Sequence, residues 1–354
     1  MSMARLFLIA GSGGQIKPEQ RIPPRKTLRE WVQSYEQKNA FKAYALFIGD
    51  CVMFVTASVL AVVAPWYLQL ACVPLLALLI ARLFIIGHDA CHGSYTDSRR
   101  QNRWIGKIAF LPSLTPYRWW EVGHNMAHHG FGNLAGKDHV WVPLSPAQYQ
   151  ALMPRQQRWY RLTRSVFGAG PYYLHKWGMD LLRLRKPQSR AIEWDTVLVL
   201  GFAGIWIASV AALAAATGNN VWIALTLAIV LPFIGWNYLM GLVIYLHHTH
   251  PGVKWYQDQA AWIASHPYIS ATVHVRFPQW FSTALHHIME HAAHHLNTGI
   301  PLYNLHAAQA RLEAGLGDAV VVQGFSWAWY RRCVSTCKVY DFERGRWVGF
   351  GGDG

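Results

Sequence analysis

The amino-acid sequence predicts an all-α integral membrane protein with four transmembrane helices in two hairpins and a cytoplasmic helical cap. Three observations favour this class. The 354 residues are 53% hydrophobic, include 18 tryptophans and have a positive mean hydropathy. Four segments contain about 20 or more mainly apolar residues each, which is the length that crosses about 30 Å of hydrocarbon. Nearly all lysines and arginines lie outside those segments.

The predicted spans are 43–64, 67–86, 194–217 and 221–246. Only two residues separate the first pair and three separate the second, so each pair is expected to form a tight hairpin. Asp50 and Arg82 fall inside the spans, where an isolated charge is costly. We expect these two side chains to pair or to reach the membrane interface.

The formal net charge of +14 is distributed around the spans. A nucleic-acid reader needs a soluble basic face, which this arrangement does not offer, so no nucleic-acid partner is predicted. Lysine and arginine concentrate before residue 43, in 87–193 and after 247, and the positive-inside rule places all three regions, with both termini, in the cytoplasm. Within the middle region, 104–120 and 159–184 have the composition of helices that lie at the interface or pack on the cap.

The predicted organisation is a cytoplasmic N-terminal segment at 1–42, a membrane domain at 43–312 and a cytoplasmic C-terminal segment at 313–354. The five cysteines are odd in number and scattered, so they predict no disulfide framework and favour a reducing compartment.

Eighteen histidines carry the candidate chemistry. Three clusters have close spacing: His88 and His92; His124, His128 and His129; and His291, His294 and His295. Spacings of three or four residues place imidazoles on one helix face. In the second cluster His129 lies about 100° further round the helix, so this cluster can serve two metal ions. Other histidines stand nearby, at His247, His248 and His250 after the last span, and at His286 and His287 before the third cluster.

The number of histidines exceeds the four ligands of one structural zinc, so two metal ions are the natural count. Imidazole suits zinc, copper, iron and nickel, and ligand type alone leaves the metal open. Soluble di-iron bundles use inward-facing glutamates and Glu-x-x-His pairs. That pattern is absent here except for the lone neighbour Glu290, so the predicted site is rich in histidine and poor in carboxylate.

The three clusters resemble the histidine boxes of the membrane fatty acid desaturase family, H-x(3,4)-H, H-x(2,3)-H-H and H/Q-x-x-H-H. The resemblance covers about 87–312 and is strongest toward the delta-12 (omega-6) acyl-lipid branch. The segments that carry it are HDACHG at 88–93, HNMAHH at 124–129, LHHTHP at 246–251, HAAHH at 291–295 and HHLNTGIPLYNL at 294–305.

The resemblance implies two iron ions with O2 as co-substrate. The ligands it implies are His88, His92, His124, His128, His129, His248, His291, His294 and His295, with His286 as a further candidate. Polar neighbours often orient such rings, and the candidates here are Asp89, Asn125, Asp138 and Glu290. The histidines that match no box are expected to be structural, namely His139, His175, His266, His274 and His306. The sequence leaves His247, His250 and His287 undecided.

The activity implied is introduction of a cis double bond into a monounsaturated, oleoyl-like chain carried by an acyl lipid or acyl thioester. The chain is expected to enter a tunnel among the four helices, with its head group near a cytoplasmic Lys or Arg. The His-Pro-Gly run at 250–252 belongs to the motif after the last span, so no fused cytochrome b5-like domain is expected. Electrons are therefore expected from a separate donor of ferredoxin or cytochrome b5 type.

Several alternatives share parts of this pattern. A fatty-acyl hydroxylase, an acetylenase or a carotenoid ketolase would use the same boxes. A metal transporter would place its ligands along a path at mid-membrane, whereas these boxes follow the spans. A haem-binding membrane cytochrome would hold its axial histidines within the spans.

Overall fold

The computed structural model describes residues 22–182 and 190–351, so the predicted terminal segments and the stretch 159–184 extend partly outside the described residues. The helices, in chain order, are α1 (Arg25–Val32), α2 (Ala40–Val63), α3 (Trp66–Cys91), α4 (Arg99–Phe110), α5 (Tyr117–Val122), α6 (His129–Phe131), α7 (Pro146–Gln150), α8 (Pro154–Thr163), α9 (Ala169–Leu182), α10 (Arg190–Ala216), α11 (Val221–Leu225), α12 (Leu231–His248), α13 (Gln259–Ala264), α14 (Pro267–Ser270), α15 (Gln279–Ala284), α16 (His291–Leu296), α17 (Leu302–Leu316) and α18 (Trp327–Thr336). Wider π-helical turns link α5 to α6 (Gly123–His128) and α11 to α12 (Thr226–Val230).

Within the described residues, four helical stretches are long and apolar enough to cross a membrane: Ala40–Val63, Trp66–Cys91, Trp194–Ala216 and Val221–His248. Their positions agree with the four predicted spans. The second ends at Cys91 rather than at 86, and the fourth ends at His248 rather than at 246. The first histidine cluster and the histidines that follow the last span are therefore built partly on the final turns of two spans.

Helix α3 is the central span. In its apolar window 61% of residues are buried, against 22% in the window of α10. Helix α3 packs against α2, α4 and α12, whereas α10 contacts α2, α5 and α11. One face of α2 is buried through Asp50, Phe54, Ala57 and Ala61, which recur at helical spacing. The opposite faces of α2 and α10 are apolar and exposed, as expected of surfaces in contact with lipid.

Helix α9 packs closely along α12. The contact depends on Gly241, because a Cβ atom there would lie 2.1 Å from the carbonyl oxygen of Ala169. Tyr173, one turn further along α9, packs edge-on against Trp236 at a ring-centroid distance of 5.6 Å. Helix α9 is thereby held along the first half and the middle of α12.

The expected pairing of Asp50 with Arg82 is confirmed. The guanidinium donates to Asp50 Oδ1 at 2.8 Å and to the carbonyl oxygen of Ala284 at 2.8 Å. The other carboxylate oxygen of Asp50 lies 2.6 Å from Nε2 of His286. This network joins α2 and α3 to the loop before the third histidine cluster.

Two small sheets complete the predominantly helical fold, and the sequence pattern did not predict them. Strand β1 (Val273–Arg276) pairs in parallel with β2 (Val321–Gly324), and β3 (Val339–Asp341) pairs antiparallel with β4 (Arg346–Val348). Strands of three or four residues are too short for a readable alternation. All five cysteines are free, as expected.

We predict that Asp50 and Arg82 are energetically coupled. Loss of one partner leaves the other charge buried, so Asp50→Ala and Arg82→Ala should each destabilise the detergent-solubilised protein, by about 3–5 kcal/mol. Thermal unfolding of both single variants and the double variant measures the coupling, which is expected to be about 0.5–3 kcal/mol. Val55→Ala, on the exposed face of α2, serves as the control. Strictly additive losses in the double variant would contradict the coupling.

Candidate metal centre

The structure brings the nine histidines of the predicted ligand set together in two groups. A five-histidine group contains His88, His92, His124, His129 and His294, and a four-histidine group contains His128, His248, His291 and His295. Within each group the potential ligand nitrogens lie within 4.8 Å of one another. In the first and third clusters, both residues of the i, i+4 pair belong to the same group. In the second cluster, His124 and His128 belong to different groups.

The second cluster departs from the regular helical geometry that its spacing suggested. It lies on the π-helical turn Gly123–His128, in which residues five apart stack along the axis. His124 and His129 therefore meet, with their Nε2 atoms 2.9 Å apart, and both belong to the five-histidine group. His128 faces the four-histidine group instead. The cluster contributes to both groups, as expected. The residue that belongs to a different group from His124 is His128 and not His129.

The ring nitrogens converge in pairs. The Nε2 atoms of His129 and His294 are 3.2 Å apart, and Nε2 of His291 lies 3.1 Å from that of His248 and 3.0 Å from that of His295. Two neutral imidazoles whose ring nitrogens face each other share at most one proton. A metal ion can instead be bound by several such nitrogens at once.

Burial disfavours the charged form of six of these imidazoles. Outside the spans, burial and then the neighbouring histidines lower the ring pKa well below its ordinary value at His92, His124, His129, His291, His294 and His295. Neutral imidazole is the form that ligates a metal. Nε2 of His92 is buried without a hydrogen-bond partner among the described residues. The donor set thus fits two transition-metal ions.

Two ring nitrogens of the four-histidine group have protein acceptors. Nδ1 of His128 lies 3.2 Å from Asp138 Oδ1, and Nδ1 of His248 lies 2.9 Å from the carbonyl oxygen of Ala271. Burial alone would raise the pKa of Asp138, but His128 and hydrogen bonds to the carboxylate outweigh burial and hold that pKa below its ordinary value. The sequence offered no signal for Ala271, because a backbone acceptor depends only on where the chain passes.

The other polar candidates contact different partners. Asp89 accepts from the backbone N–H of Leu302 at 2.5 Å, and its second oxygen lies 3.7 Å from Nδ1 of His88. Asn125 donates to the carbonyl oxygen of Cys91 at 3.0 Å. Glu290 contacts two histidines outside the two groups. His286, the further ligand candidate, is held by Asp50 and belongs to neither group.

The histidines left undecided or expected to be structural have varied surroundings. His247 stacks on His291 with ring centroids 3.6 Å apart, and His139 lines the cavity described below. The rest contact the following partners: His250 with Gly252, His266 with Tyr268, His274 with Glu313, His175 with Trp159, and both His287 and His306 with Glu290.

An apolar cavity reaches the histidines of both groups, with His88, His124, His128 and His291 in its wall. It lies between α3 and α12 on one side and α5 and α9 on the other, and none of its described lining residues belongs to α2 or α10. The tunnel among all four spans stays a prediction. The cavity wall includes Phe84, Trp120, Tyr173, Met240 and Val243. Trp120 stacks on His124 at 4.9 Å and so links the wall to the five-histidine group.

Two groups of buried histidines that could bind metal ions, beside an apolar cavity and next to the ends of membrane-length helices, indicate an integral membrane metalloenzyme. The family model for "Fatty acid desaturase" matches residues 29–327, and the chain belongs to that family. It is an oxidoreductase, and the family implies the use of iron and oxygen.

Relatives with assigned functions agree with the family. The chain is 28% identical over 314 residues to the sn-1 oleoyl-lipid 12-desaturase of Picosynechococcus sp., which covers 88% of each chain. It is 28% identical over 316 residues to the enzyme of the same name from Synechocystis sp., covering 87% of this chain and 86% of the relative. It is also 24% identical over 347 residues to the chloroplastic omega-6 fatty acid desaturase of Brassica napus, covering 95% and 75%.

We predict that Asp138→Asn weakens metal binding without removing a ligand. Loss of an acceptor behind a metal-bound histidine typically costs about 10–100-fold in metal affinity. The chelator concentration that removes half of the iron from the purified protein should fall by that factor. Glu343→Gln, an exposed carboxyl change, is the control. Equal retention by the wild-type protein and both variants would show that Asp138 does not support the site.

Proposed function

We propose that this enzyme introduces a cis double bond at the delta-12 (omega-6) position of a monounsaturated, oleoyl-like acyl chain. The observation that carries the proposal is the apolar cavity that ends at two groups of converging histidines. The names of the matched relatives support the position of the double bond and the oleoyl substrate.

Each histidine group would hold one iron ion. The five-histidine ligands are His88, His92, His124, His129 and His294, and the four-histidine ligands are His128, His248, His291 and His295. When bound, the two irons supply with O2 the oxidising power that an unactivated methylene requires. The balance is two hydrogens from neighbouring carbons, one O2, two donor electrons and two protons in, and the alkene with two waters out.

The residues of the chain contribute position and exclusion of water. Asp138 and the carbonyl of Ala271 orient His128 and His248, because each accepts from the ring nitrogen that points away from the group. Apolar side chains such as Phe84, Val243 and Met240 fit an acyl chain and offer it no hydrogen-bond partner. Binding of this kind selects by shape and length, so the distance from the opening to the histidines sets which carbon pair reacts.

The acyl carrier is an acyl lipid or an acyl thioester, and its head group lies near the opening of the cavity. Lys176, on α9, lines the cavity together with His139. A lysine ammonium at this place suits the phosphate or carbonyl of a head group while the acyl chain enters the apolar part. This arrangement supports entry from the membrane interface.

The proposed topology has two hairpins, α2 with α3 and α10 with α11–α12. The segments 1–42 and 313–354, both termini and the metal centre lie in the cytoplasm, and the helices around the centre form the cap. Lys42, Arg99 and Arg100 lie near the span ends that carry the histidines, which supports this orientation. Electrons come from a separate protein of ferredoxin or cytochrome b5 type. The net positive charge of this chain would favour association with a donor that presents negative charge.

We predict that a host which makes oleate but no dienes gains an 18-carbon diene when it expresses this chain. The double variant His128→Ala, His129→Ala removes a ligand from each group and should abolish the diene. His175→Ala, which alters an exposed histidine, should retain it. The measurement is the fatty-acid methyl ester profile of the three strains.

Other profiles would redirect the proposal. Hydroxylated acids would indicate a hydroxylase, and an acetylenic product would indicate an acetylenase on the same scaffold. An unchanged profile from an iron-loaded protein would contradict the oleoyl substrate and turn the search to other lipids, including carotenoids.

We predict that Met240→Trp shortens the usable cavity. Met240 precedes His247 by seven residues, which is roughly 10 Å along the helix. The larger ring should reduce conversion of an 18-carbon chain by about tenfold or more, and a 16-carbon chain should be affected less. Iron content should not change. Ile234→Trp, on the exposed face of the same helix, is the control. Equal conversion of both chain lengths in the Met240 variant would place the acyl chain elsewhere.

A further inference from the structure

A separate cluster of side chains that could hold a metal ion lies outside the two histidine groups. It consists of His287, Glu290 and His306, whose potential ligand atoms lie within 4.8 Å of one another. Nδ1 of His287 and Nδ1 of His306 are each 3.1 Å from the same carboxylate oxygen, Glu290 Oε1. The cluster shares no residue with either group and plays no part in the activity proposed above.

The carboxylate of Glu290 is the unusual member. Its side chain is only 2% exposed, and Oε2 is buried without a hydrogen-bond partner among the described residues. Removal of a carboxylate from water is costly unless it is paired or binds a cation. The hydrogen bonds from two imidazoles satisfy Oε1 and leave Oε2 without a partner among the described residues. A cation beside Glu290 would offset the remaining cost of burying the carboxylate.

The donor set indicates which cation would bind. Two imidazoles and one carboxylate are a ligand set of zinc sites that keep their fourth position open. The side chain of His306 is 53% exposed and that of His287 16% exposed, so one side of the cluster is open to solvent. Calcium and magnesium prefer oxygen ligands and do not match.

We propose that His287, Glu290 and His306 form a Zn²⁺ site that fixes α17 to the loop before α16. His306 lies on α17, and Glu290 immediately precedes His291, the first residue of α16. Helix α16 carries three histidines of the metal centre. The bound Zn²⁺ stabilises the position of this helix, so zinc supply affects the stability of the enzyme. His306, expected from sequence to be structural, is a zinc ligand in this proposal.

The test uses the full-length, iron-loaded enzyme in detergent. Wild type, His306→Ala, Glu290→Gln and His175→Ala are incubated with Zn²⁺ and desalted, and zinc and iron are counted by mass spectrometry of the elements. Wild type and His175→Ala should gain about one zinc per chain without loss of iron. His306→Ala and Glu290→Gln should gain none. Zn²⁺ should raise the thermal midpoint only in the proteins that bind it.

Three outcomes overturn the site. They are no zinc gain in wild type, a gain that His306→Ala retains, and a gain matched by loss of iron. Any of them would leave a hydrogen-bonded His–Glu–His cluster. His306 is exposed, so its variant is expected to fold even if Glu290→Gln does not. The readout is metal content, so it is independent of whether the enzyme forms a diene.

Discussion

The rest of the structure depends on the need to hold nine imidazoles close together and facing one another. At buried rings such as His124 and His291, burial and then repulsion by neighbouring histidines lower the pKa and favour the neutral form. Metal ions between the rings would offset the cost of burying so many partly unpaired nitrogens. Metal binding would then be coupled to the folding of this region.

Two membrane helices end at the histidine groups. His88 lies in the last turn of α3, and His248 is the final residue of α12. The ion pair of Asp50 with Arg82 then attaches the loop that leads to α16, since Arg82 binds the carbonyl of Ala284 and Asp50 binds His286. Charges that are expensive within spans therefore position the segment that supplies three more histidines.

The sequence predicted the parts of the molecule that depend on local pattern. Apolar length located the four spans, and the close spacings in three clusters identified eight of the nine converging histidines. His248 was implied by the resemblance to the desaturase family. It could not assign His128 to its group, because the π-helical turn changes which residues share a face and depends on packing around that turn. Likewise Asp89 and Asp138 looked equivalent as neighbours of ligands, and only the fold brings Asp138 to 3.2 Å from an imidazole. The acceptor Ala271 and the short strands depend on contacts between distant segments.

The two histidine groups are not equivalent. In the four-histidine group, His128 and His248 have hydrogen-bond acceptors, one of them a carboxylate. In the five-histidine group, Nδ1 of His88, His129 and His294 has no such partner among the described residues. An acceptor behind a ring raises the basicity of the nitrogen that binds the metal. If each group holds one iron, the ion in the four-histidine group has two ligands whose basicity is raised in this way. Asp138 and the carbonyl of Ala271 then make the two ions different, through contacts that no histidine spacing encodes.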